Sequence, residues 1–164
     1  MITFALHGGY LSAGDLCRDM GNPVWVDHYL SGHDPEKLWD DITFLAKDEP
    51  VALIGYSSGG DVIGDLSWML SNIVCAVLYE SPLIGIDQVI GNFPVLWIRN
   101  NYKSTRRRER EFDDTLREWS VEHPVTKLTG KGRHIYWRKG WPPFGHAWDK
   151  DLNDKIRSFI VSNS

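Results

Sequence analysis

The chain has 164 residues, 42% of them apolar, and 22 acidic against 18 basic side chains give a formal charge of −4. This suits one domain over residues 1–164 whose core removes roughly 70% of the unfolded surface from water. The charge balance excludes a global nucleic-acid-binding signature, and no apolar run nears the ~20 residues that a membrane-spanning helix needs.

In chain order, Ile2–Leu6 reads as a strand that ends in the turn His7-Gly8-Gly9. Met1 thus leads almost directly into structure, so no signal peptide and a cytoplasmic location are expected. Ser12, with Asp15 three residues later, starts a helix carrying Leu16, Cys17 and Met20, and Val24–Val26 is a short strand. Asp34-Pro35-Glu36 predicts a helix N-terminus, with a capping oxygen, a proline at the first turn and an acid near the positive end. Leu38, Ile42 and Leu45 supply its buried stripe. The apolar run from Val51 ends abruptly in Gly55-Tyr56-Ser57-Ser58-Gly59, and Val62, Ile63, Leu66, Met69 and Leu70 follow at helical spacing.

Ile73–Leu78 is another continuous apolar strand, followed by Glu80-Ser81-Pro82, and Pro94–Ile98 repeats the pattern. Phe112, Leu116 and Trp119 mark a helix by their i, i+4, i+7 spacing. His134–Trp137 is a last strand candidate. Leu152, Ile156, Phe159 and Ile160 mark a closing helix capped by Asn153. Cys17 in a helix and Cys75 in a buried strand read as reduced and structural. Strands alternating with helices predict an α/β fold, a mostly parallel sheet of about six strands with helices on both faces.

Gly-x-Ser-x-Gly between a strand and a helix answers a chemical problem. A serine hydroxyl is a poor nucleophile that must stand exposed, beside a base and beside donors for an oxyanion. A sharp strand-to-helix turn lifts it out of the sheet and aims the first N–H groups of the helix above it. Only Ser57 fits this frame, because Ser58 has Tyr56 two residues before it. The segment has neither Gly-x-Gly-x-x-Gly nor a phosphate-loop lysine, so a nucleotide site is disfavoured. The histidines lack paired metal spacing and no cofactor or metal is expected.

His7-Gly8-Gly9 after the first strand, the Ser57 turn, and Gly145-His146 before the last helix stand in chain order. Together they resemble an α/β-hydrolase-fold serine hydrolase over essentially the whole chain. The resemblance is to small, lidless members, starting at that family's third strand. It implies Ser57 as nucleophile, His146 as general base and acid, and the N–H groups of Ser58 and Gly9 as oxyanion donors. Tyr10, Trp141, Phe144 and Trp148 would wall a pocket for a small acyl substrate, an ester, thioester or relative. His7 reads as structural; His28 and His33 flank a loop that could border the pocket.

The acid departs from the family pattern. Its usual loop reads Arg99-Asn100-Asn101-Tyr102-Lys103-Ser104-Thr105, with no carboxylate. Glu80, at the end of the preceding strand, is the preferred acid. The resemblance implies this alternative acid location in some members, and it keeps the order serine, acid, histidine. An unpaired carboxylate is also costly to bury, whereas the plain alternative is a solvent-facing strand end. Asn100, Asn101, Asp113, Asp114 and Asp149 stay open as alternatives. Arg106, Arg107, Arg108 and Arg110 read as a solvated entry to the next helix; the functional alternative is a cationic rim for acidic substrates. The competing reading of the whole chain is a catalytically degenerate hydrolase fold that binds rather than cleaves.

Overall fold

Burial of unbroken apolar runs on both faces drives the architecture. The computed structural model describes residues 1–6, 24–26, 34–56, 59–79, 93–100, 114, 117, 124–130 and 150–164. Six strands form one sheet: β1 (Ile2–Leu6), β2 (Val24–Val26), β3 (Val51–Tyr56), β4 (Ile73–Tyr79), β5 (Val95–Asn100) and β6 (Val125–Gly130). Their spatial order is β2-β1-β3-β4-β5-β6, and every pair is parallel. All six residues of β3, a central strand, are buried. A strand covered on both faces has no use for polar alternation.

The two faces are filled separately. Phe4, Leu6, Leu53, Leu78 and Trp97 pack under α1 (Pro35–Ala46) and α2 (Gly59–Met69). Ala5, Ile54, Tyr56, Val77, Tyr79 and Ile98 pack with Leu152, Ile156 and Ile160, from α3 (Asn153–Ser162) and the 3-10 turn Lys150–Leu152 before it. Strands β1, β3, β4 and β5 each feed both clusters by alternating their side chains. Helices thus cover both faces, as the alternation of elements predicts. The Trp39 indole N–H donates to the Met69 carbonyl at 2.9 Å and ties α1 to α2.

The Asp34 carboxylate accepts from the Glu36 N–H at 3.0 Å, which makes it the expected N-cap of α1. Leu38 and Ile42 are buried, but Leu45 is 45% exposed and Ala46 takes its place. Positions i+7 and i+8 straddle the inward direction of a 3.6-residue helix, and here the smaller side chain fits against the sheet. The closing helix also differs at its start. Leu152 is at the cap position without a side-chain bond, and Asn153 is the first helical residue and buried. The preceding 3-10 turn continues directly into the helix, so no extended capping residue intervenes.

One strand is added to those expected and another runs longer. The sixth strand is Val125–Gly130, whereas the candidate His134–Trp137 lies outside the described residues. Strand β5 also runs past Ile98 through Arg99 and Asn100, which pair with Thr129 and Gly130. The helix expected from Ser12 lies outside the described residues, and of the Phe112–Trp119 helix only Asp114 and Arg117 lie within them, both helical.

Cys75 lies fully buried in β4, and burial pushes its thiol up to about 11. A thiolate is the reacting species, so at pH 8 the native Cys75 should resist a disulfide reagent and react once guanidinium unfolds the chain. Peptide mapping after labelling checks this; modification of native Cys75 at the rate of a solvent thiol would contradict it. Above pH 9 the unfolded thiol ionises while the native one holds its proton. Stability should therefore fall as pH rises from about 9 to 11.

Candidate active site

The strand order sets where a site can form. From β1 the chain moves outward to β2, then returns across the sheet through α1 to β3 and advances through α2 to β4. Connections leaving β1 and β3 therefore run in opposite directions. A crevice opens beyond the carboxyl ends of two such neighbouring strands. Leu6 pairs with Gly55 at this edge, and Tyr56 pairs with Tyr79. His7-Gly8-Gly9 follows Leu6 in the chain, Ser57 follows Tyr56, and Glu80 follows Tyr79.

The turn at this crevice is as short as the sequence predicts. Only Ser57 and Ser58 separate the end of β3 from the start of α2. Helix and strand are pressed together immediately below it. A Cβ on Gly55 would stand 2.7 Å from the Gly60 Cα, 2.8 Å from Ile63 Cδ1 and 2.9 Å from the Gly59 carbonyl oxygen. Two of those three contacts are backbone, so no rotamer change relieves them. Gly55 and Gly59 are the glycines of the serine frame. Gly60 is an addition: it makes the tightest contact, and its signal was the doubled glycine after Ser58.

Tyr56 and Tyr79 form the last rung on the α3 face, with ring centroids 5.6 Å apart and planes at 51°. Neither was singled out as functional by sequence. Ser57, Ser58, Glu80, His146, Gly9, Tyr10, Trp141, Phe144 and Trp148 lie outside the described residues, as do His7, His28, His33, Asn101, Asp113, Asp149 and Cys17. Of the alternative orienting residues, Asn100 is the last residue of β5. Asp114 is exposed and its carboxylate lies 3.5 Å from Arg117, one helical turn on, which suits a helix-surface residue. Among the described residues no helix is long and apolar enough to cross a membrane.

The fold is shared with solved structures over nearly the whole chain. An esterase from Pyrococcus furiosus is similar over 98% of this chain and 81% of its own, with TM-score 0.66 at 12% identity. A Bacillus cereus carboxylesterase is similar over 99% of this chain and 88% of its own, with TM-score 0.61 at 12% identity. A Vibrio vulnificus alpha-beta hydrolase is similar over 99% and 74%, with TM-score 0.57 at 15% identity. No protein-family model and no curated protein matches the sequence. The chain has the α/β-hydrolase fold.

Proposed function

We propose that this protein is an esterase-like serine hydrolase that cleaves a small ester, thioester or related acyl substrate through an acyl-enzyme. The observation that carries the reading is the two-residue connection between β3 and α2, tightened by Gly55 against Gly59 and Gly60, at the carboxyl ends of the neighbouring strands β1 and β3. The solved structures of the same fold that are named as esterases support it.

In this mechanism Ser57 Oγ attacks the acyl carbonyl while His146 takes its proton. The N–H groups of Ser58 and Gly9 receive the oxyanion, one from the start of the helix and one from the loop after β1. His146 then returns the proton to the departing alcohol or thiol. A water, activated by the same imidazole, releases the acid and restores Ser57. Glu80 holds the imidazole in its working tautomer and stabilises the imidazolium. Tyr10, Trp141, Phe144 and Trp148 form the apolar wall for the acyl or leaving group.

A fluorophosphonate probe tests the reading, because it reacts only with an activated serine. The wild-type chain should be labelled at Ser57, and Ser57→Ala should be silent. Labelling that persists in Ser57→Ala, or a wild type that never reacts, would remove the proposed nucleophile. An unreactive wild type that still binds an ester analogue would favour the binding protein instead.

A further inference from the structure

We propose that the Tyr56–Tyr79 ring pair is a positioning element that holds the nucleophile and its acid at a working separation. This role rests on reading Ser57 and Glu80 as those two groups. Along the α3 face the register pairs of β3 and β4 run Ala52 with Cys75, Ile54 with Val77, then Tyr56 with Tyr79. The pair at the carboxyl edge is thus by far the largest, and each tyrosine immediately precedes a proposed reacting residue.

Both rings are packed into the core. Tyr79 is fully buried and Tyr56 is 5% exposed. Their tilted contact at 5.6 Å is a favoured aromatic geometry, and both belong to one apolar cluster with Ile98, Leu152 and Ile156. Leu152, six residues after His146 in the chain, belongs to the same cluster. One packed unit therefore directly adjoins two of the proposed reacting positions in the chain and lies six residues along it from the third. The last rung of a ladder has no further rung to steady it, and strand ends fray. Two interlocked rings supply that restraint, and side-chain misplacement by about 1 Å can cost 10²-fold in rate.

The test measures kcat and KM for p-nitrophenyl acetate across pH in the full chain. The variants are Tyr79→Phe, Tyr79→Leu, Glu80→Gln and the Tyr79→Leu/Glu80→Gln double, with near-UV circular dichroism and Tm reporting the fold. Tyr79→Phe keeps the ring and should stay within about threefold of wild type, while Tyr79→Leu should lower kcat roughly 10-fold or more with little change in KM. Its acid limb should move to lower pH, as in Glu80→Gln, because the imidazolium has lost a well-placed carboxylate. The double variant should be no slower than Glu80→Gln alone, since both changes break one unit.

A folded Tyr79→Leu at the wild-type rate overturns the role, and so does a loss that Tyr79→Phe shares. Losses that multiply fully in the double variant overturn it too. Where Tyr79→Leu does not fold, Tyr56→Leu breaks the same ring contact and is read against the same outcomes. Turnover that ignores Ser57→Ala would overturn the hydrolase reading and this role with it. Turnover lost in Ser57→Ala but indifferent to Glu80→Gln, or to both ring variants, would overturn the positioning role alone.

Discussion

Gly55→Ala should destabilise the protein by about 3 kcal/mol and depress Ser57 labelling by roughly 10²-fold in whatever remains folded. The added methyl has nowhere to go. It meets the Gly60 Cα at 2.7 Å and the Gly59 carbonyl oxygen at 2.9 Å, both fixed parts of the first turn of α2. Only Ile63 Cδ1, at 2.8 Å, belongs to a side chain that can turn aside. Relief therefore requires α2 to move off β3, and that motion drags the start of the helix away from the crevice. For a chain of this length the stability loss corresponds to roughly 10 °C in Tm. Thermal unfolding and probe labelling together check it. A Gly55→Ala protein with wild-type Tm and labelling would show that the close approach is not a constraint on the turn.

His146→Ala should lower kcat by on the order of 10⁴-fold or more with a much smaller change in KM. Without the imidazole nothing removes the Ser57 proton at neutral pH, while substrate contacts persist. The acid behind it is separated by a second substitution. Glu80→Gln should lower kcat by about 10²–10⁴-fold, since an amide neither enforces the tautomer nor stabilises the imidazolium. The sign of the pH effect follows from the charge. A carboxylate beside histidine raises its pKa, so removing that carboxylate lets the imidazole stay neutral to lower pH and shifts the acid limb down. A wild-type Glu80→Gln rate beside a collapse in Asn100→Ala would assign the orienting role to asparagine. Steady-state kinetics across pH resolves the two.

Much of the scaffold was readable because its elements carry strong local signals. Val51–Tyr56 and Ile73–Tyr79 are unbroken apolar runs, and a strand buried on both faces leaves little else for such a run to be. Asp34-Pro35-Glu36 states its helix start through a cap that forms whatever the helix packs against. Signals failed where a neighbour supplies the order. Strand β6 carries exposed Thr126, Lys127 and Thr129 and, among the described residues, pairs only with β5. Its Lys127 ammonium lies 5.5 Å from the centre of the Trp97 ring, a contact no one-dimensional pattern displays. Arg99 and Asn100 look like loop residues, yet hydrogen bonding to β6 keeps them in the sheet. Leu45 is exposed and Ala46 buried, because both border the inward direction of the helix and only its setting against the sheet decides between them.

The sequence by itself determined that a serine stands between a buried strand and a helix, and that glycines flank it. That much follows from local sterics, since a tight turn permits few residue types. Only the tertiary structure decided that this turn opens beside β1, that Gly60 as well as Gly59 presses on Gly55, and that Tyr56 meets Tyr79. Those facts depend on strand order and register. Pairing among distant segments sets both, because backbone hydrogen bonds are satisfied between strands and not within them.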